Sequence, residues 1–144
     1  MSTATGTPEM LVGLARSQVL IGQAATAEHL LQEQGFDLAA ALLGAPEAHK
    51  AHLPDAANAL IVEGLILDFA ARRLPGPGAE VLAQELHFLD NPAVGDNVCV
   101  TGTVTARPTE DTAIIGIDVE CQRGHLAEGS VTLRLPAQPI ALRS

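Results

Sequence analysis

Residues Asn58 to Arg73 leave almost no room for a polar face. Ala59, Leu60, Ile61, Val62, Leu65, Ile66, Leu67, Phe69, Ala70 and Ala71 cover nearly the whole circumference of a helix drawn through them. A helix that is apolar all round is buried on most sides. Asn58 suits its N-terminus, Arg72 and Arg73 complement the dipole at its C-terminus, and Pro75 cannot continue it. At ~1.5 Å per residue such a helix is roughly 24 Å long. Glu63 and Asp68 interrupt the apolar run from Ala59 to Ala71, which is too short to span a bilayer. The chain must therefore supply enough apolar surface from elsewhere to cover this rod.

The second half of the sequence supplies it as strands. Val81 to Leu89 is apolar on both faces, as expected of a strand lying under a helix. From Asn97 to Ala106, Val98, Val100 and Val104 alternate with Cys99, Thr101 and Thr103. Ala113, Ile115, Ile117, Val119 and Cys121 then point one way while Asp118, Glu120 and Gln122 point the other. Ala127, Val131, Leu133 and Leu135 repeat the pattern, and the segments at Arg107–Asp111 and Gln122–His125 read as turns. One buried helix and a run of antiparallel strands is an α+β layout in which the sheet wraps the helix. Earlier in the chain, Arg16 to Ile21 reads as a first strand. Thr26 reads as the N-cap of a helix ending at Gly35, and Asp37 as the cap of a short turn up to Gly44. Residues 1–8 are expected to be disordered, residues 9–136 to form one domain, and residues 137–144 to be a fraying tail.

Composition narrows the partners. The chain has three Phe, no Tyr and no Trp, so the core is aliphatic. A formal charge of −9 and the lack of aromatic platforms speak against nucleic acid. Cys99 and Cys121 form neither a metal-ligand spacing nor a disulfide framework, and no metal or cofactor is expected. Met1 to Pro8 has no basic start or apolar core of a secretory signal, so the expectation is a cytoplasmic protein.

The stretch Leu74-Pro75-Gly76-Pro77-Gly78, Ala79 to Leu89, and Asp90-Asn91-Pro92-Ala93-Val94-Gly95-Asp96 resembles the MaoC-like family of (R)-specific enoyl-CoA hydratases. The resemblance implies a hot-dog fold, a homodimer and an acyl thioester carried by coenzyme A or acyl carrier protein. It also implies an Asp and a His in an Asp-x-Asn-Pro-x-His motif that activate water as general acid and base. A later His-Gly pair starts the central helix, where the Gly N–H holds the thioester oxygen. Carried back without gaps, the His-Gly pair falls on Asn58-Ala59. The acid/base motif falls near Asp37-Leu38-Ala39-Ala40-Ala41-Leu42, where only Asp37 survives.

A gapped match makes Gly64 the oxyanion glycine, with Glu63 before it and His49 or His52 as base. His52-Leu53-Pro54 and Gly64 to Asp68 also resemble elements of hydroxyacyl-carrier-protein dehydratases, another hot-dog group, in which a His and a helix carboxylate share the work across a dimer interface. The candidates are thus His52, Asp37 and Asp68 for catalysis, and Gly64, Glu63 and His49 for substrate binding. Each has a plainer role: Asp37 as a cap, His49 and His52 as solvated loop residues, Glu63 as a helix-start acid, Asp68 as an i,i+4 partner of Arg72. Arg72, Arg73 and Arg107 are the candidate cations for a coenzyme A phosphate. The reading that follows is an acyl-thioester-binding hot-dog protein whose hydratase pair is lost or relocated. An active hydratase or dehydratase comes second, and a thioesterase using Asp68 or Glu63 third.

Overall fold

The computed structural model describes residues 10–42 and 55–143. In chain order the elements are β1 (Met10–Val12), β2 (Ala24–Leu30), α1 (Glu33–Leu42), α2 (Asp55–Arg72), β3 (Glu80–Phe88), β4 (Asn97–Ala106), β5 (Thr112–Cys121), β6 (Gly124–Arg134) and β7 (Ala141–Arg143). Five of the strands form one antiparallel sheet in the order β2-β4-β5-β6-β3. The α+β expectation holds. No helix among the described residues is long and apolar enough to cross a membrane.

Period-two burial builds the inner face of this sheet. Val98, Val100 and Val104 of β4, Ala113, Ile115, Ile117 and Val119 of β5, and Ala127, Val131 and Leu133 of β6 are all buried. Against them α2 lays Ala57, Val62, Ile66, Phe69 and Ala70. Gly102 opens the sheet at the centre of this contact. A Cβ there would lie 2.4 Å from Cε2 of Phe69 and 3.0 Å from Cγ2 of Ile115. The missing side chain is the space the Phe69 ring fills, which joins helix and sheet into one close-packed layer. At the other end, Leu74-Pro75-Gly76 turns the chain off the helix through a cis Leu74-Pro75 bond, and Gly76 N–H donates to the Ala70 carbonyl at 2.9 Å.

Four sequence expectations change. Arg16 to Ile21 is a turn segment, and the strand lies instead at Ala24–Leu30, where a helix was expected from Thr26. Ala27, Glu28 and Leu30 favour helix locally, but seven residues in register with β4 bury Ala27 and expose Glu28 and Leu30. Tertiary pairing overrides the propensity. Second, Gly35 and Asp37 lie inside α1, so Gly35 ends no helix and Asp37 caps none. Third, β3 does not lie under the helix but is the open edge of the sheet, exposed along most of its length. Fourth, the segment after Pro136 carries a strand: Ala141–Arg143 forms β7, which pairs with β1 in a second, two-stranded sheet. Residues 1–9 lie outside the described residues.

The rod itself is covered on fewer sides than its composition suggests. The sheet covers one face of α2, and α1 packs beside it. Gly64, Leu67 and Ala71 form an exposed stripe on the remaining side.

Candidate active-site cleft

The first turns of α2 border a cleft of about 500 Å³. Asn58, Ala59 and Val62 form its helical wall, and Phe88, Leu89, Asp90, Asn91 and Pro92 form the wall opposite. The first four N–H groups of an α-helix have no intrahelical acceptor. The partial positive charge they carry favours an anion or a polarised carbonyl oxygen at this end of α2. Asn58 itself is 7% exposed.

The opposite wall is held by a network of named bonds. Asp96, 3% exposed, accepts the Ala93 N–H at Oδ2 (2.8 Å) and the Gln122 side-chain amide at Oδ1 (2.9 Å). The Arg123 guanidinium, projecting from the β5–β6 turn, donates to both Asp96 oxygens, with Nε to Oδ1 at 3.1 Å. It also reaches the Asp90 carboxylate at 3.2 Å and the Asn91 carbonyl at 3.0 Å. The hydrogen bonds from Arg123 hold the Asp96 carboxyl below its ordinary range. Burial opposes this, while the Ala93 N–H, the Gln122 amide and the charge of Arg123 add to it. The same bonds push the Arg123 guanidinium above its ordinary value.

The sequence candidates do not converge here. Asp37 is half-buried on α1 and lines no part of the cleft. Glu63 accepts a hydrogen bond from the Gln84 amide at 3.3 Å, tying α2 to β3. Gly64 is the tenth residue of α2, so its N–H is committed to the helix and offers no oxyanion donor. Asp68 takes the i,i+4 role: Arg72 Nε donates to it at 2.8 Å. Its other oxygen lies 4.0 Å from Nε2 of His29, a histidine on β2 that borders a smaller pocket of about 230 Å³. Asp68 is ten residues beyond Asn58, on the order of 15 Å along the helix axis. The His29–Asp68 pair therefore cannot reach a carbonyl held at the start of α2. His49 and His52 lie outside the described residues.

The expected phosphate-binding cations are also engaged or distant. Arg107 donates to the backbone carbonyls of Arg16, Val19, Glu110 and Thr112 and is a structural clamp. Arg72 is held by Asp68, and Arg73 stands exposed at the far end of α2 from the cleft. On the outer face of the sheet, His125 sits between Asp118 (3.0 Å) and Glu120 (3.7 Å). Asp118, Glu120 and His125 together are a three-donor group of metal-ligating type among the described residues, with Glu120 and His125 exposed and both His125 ring nitrogens facing carboxylates.

Asn58, Asp90 and Asn91 are the polar residues of the cleft that did not stand among the candidates. Both signals were present in the sequence. The ungapped match put Asn58-Ala59 at the helix start, three residues past the observed start at Asp55 but still in the first turns of α2, and Asp90-Asn91-Pro92 is the turn that follows β3.

No family model matches the chain, and no curated protein matches it. Solved structures do. The unliganded R-hydratase PhaJ1 from Pseudomonas aeruginosa superposes with a TM-score of 0.82 at 22% identity, covering 94% of each chain. This chain has the hot-dog fold. A second hot-dog match is the (R)-hydratase from A. caviae involved in PHA biosynthesis, with a TM-score of 0.70 and 23% identity over 82% of this chain and 98% of that one. A Streptococcus mutans protein bound to acetyl CoA matches at 0.59 and 11%, over 93% and 92%. At these identities the shared property is the hot-dog architecture, and chemistry rests on the residues.

Proposed function

We propose that this chain is a MaoC-like hot-dog protein that binds acyl thioesters in the α2 cleft and has lost the hydratase acid/base pair. The observation that carries the reading is the cleft itself. It combines helix N-terminal donors, which suit a thioester oxygen, with apolar contacts from Ala59, Val62, Phe88 and Leu89, which suit an acyl chain. The fold shared with two R-hydratases and with an acetyl-CoA-bound protein supports the ligand class. Against hydratase chemistry, the motif positions on α1 read Ala39, Ala40 and Leu42, and no histidine among the described residues lines the cleft. The carrier is coenzyme A or acyl carrier protein. Crotonyl-CoA at one hundred times its Kd should stabilise the protein by about 2.7 kcal/mol, seen as a raised Tm with no loss of enoyl absorbance. An unchanged Tm across short- and medium-chain acyl-CoAs contradicts the proposal.

The second reading is an active hydratase or dehydratase with a relocated base. Its support is that His49 and His52 stand six and three positions before Asp55, the first residue of α2, in the sequence. On that reading crotonyl-CoA absorbance falls when protein is added, and His52→Ala or His49→Ala stops it.

The working unit is a homodimer. Its support is the open edge of β3, where Val81 and Leu82 are 40% and 42% exposed, together with the uncovered α2 stripe at Gly64 and Leu67. Gly64 has open space around it, which lets a second helix come close. Leu67→Lys should turn a dimer into a monomer by light scattering; a wild-type monomer at tens of micromolar refutes the assembly.

A further inference from the structure

We infer that Arg123 is the positioning residue of the α2 cleft. This rests on the acyl-thioester reading of that cleft. Four residues that border it, Leu89 to Pro92, belong to one irregular segment between β3 and β4, and Phe88 is the last residue of β3. Ladder bonds do not hold that segment beyond the Leu89 and Asp90 N–H groups, which donate to the Leu126 carbonyl at 2.8 and 3.3 Å. From Ala93 on, the segment is tied again, by Ala93 N–H to Asp96 and by Gly95 N–H to the Leu31 carbonyl; between these anchors Arg123 is the side chain from another element that grips Asp90 and Asn91.

The guanidinium works as a bracket with two ends. The inner end is fixed on Asp96, whose carboxylate is 4% exposed and accepts from the Ala93 N–H and the Gln122 amide as well as from two guanidinium nitrogens of Arg123. The outer end holds the Asp90 carboxylate and the Asn91 carbonyl, both on the cleft wall. The planar fork of Arg fits this task, since its donors point in fixed directions and reach two acceptors at once. Arg123 does not itself border the cleft, so its effect on a ligand passes through Asp90 and Asn91. Asp90 is 57% exposed and also accepts the Asn91 N–H at 2.8 Å, which bends the turn toward the bracket.

The test uses the full chain and two variants that spare the buried anchor. Asp90→Ala removes the carboxylate half of the outer grip and leaves the Asn91 carbonyl and the Asp96 anchor in place. Arg123→Lys keeps a cation for Asp96 but has no fork to reach Asp90 and Asn91 together. In both, the backbone amides of Leu89, Asp90, Asn91 and Ala93 should exchange with solvent about tenfold faster in the free protein, while amides of β4 and β5 keep their protection. Crotonyl-CoA should bind about tenfold more weakly to both, a change a merely contacting Asp90 would not produce in Arg123→Lys. Unchanged exchange at those amides in either variant overturns the inference, even if affinity falls. Wild-type protein that does not take up crotonyl-CoA overturns the acyl-thioester reading instead, and exchange alone then decides whether Arg123 holds the wall.

Discussion

Phe69→Ala should cost about 3–5 kcal/mol of folding stability, the largest loss expected of any single truncation in this chain. The ring is fully buried between α2 and the sheet and occupies the space that Gly102 leaves open. Neighbours on the sheet are β-branched and stiff, so they close little of the void. The converse change overpacks the same place. Gly102→Ala puts a methyl within 2.4 Å of the ring and should cost about 1–3 kcal/mol, as Phe69 moves off its seat. The two effects are coupled. In the double variant the new methyl sits in the vacated space, so the loss should be smaller than the sum of the two. Urea unfolding measures all three, with midpoints shifting at unchanged slope. Additive losses would mean that the ring and the glycine do not share one space.

The second large effect belongs to Asp96. Asp96→Asn keeps the shape but removes the charge that Arg123, the Ala93 N–H and the Gln122 amide all address, and should cost about 2 kcal/mol at neutral pH. Arg123→Ala should be worse, because it leaves a buried carboxylate without its cation. The pH dependence follows from the direction of the Asp96 shift. Its folded pKa lies below the unfolded value of about 3.9. The stabilisation is therefore complete above that value and is lost as pH falls through the folded pKa. Wild-type stability should drop as the solution is acidified below about pH 4, and Asp96→Asn should drop less steeply. The variant's acid limb is shallower rather than flat, since the Thr109 hydroxyl chiefly holds Asp111 below its ordinary range as well. Parallel acid limbs in the two proteins would show that Asp96 is not the group that titrates.

The sequence was most legible where one face of an element is buried by regular partners. β4 was readable to the residue, and β5 and β6 nearly so, because β5 is paired on both sides and period-two alternation survives intact. β2 was not readable. Its Ala-Glu-His-Leu composition matches a helix, and only pairing with β4 selects the strand. β3 was misplaced for a different reason. Its apolar residues on both faces fit burial under a helix, but equally an edge that another chain covers, and local pattern does not separate the two. The cleft was half legible. Matching without gaps brought Asn58-Ala59 to the first turns of α2, three residues past its start at Asp55, whereas the gapped match chose Gly64, the tenth residue of the helix. The Arg123–Asp96 link spans twenty-seven positions in the chain, and no local rule connects a turn arginine to a turn aspartate at that separation.

The most direct measurement of the account is a backbone amide NMR titration with crotonyl-CoA. Binding in the cleft should shift amides at Asn58 to Val62 and Phe88 to Asn91 together, in a saturable manner, while those around His29 and Asp68 stay still. Shifts centred on His29, Leu65 and Asp68, or none at saturating ligand, would contradict it.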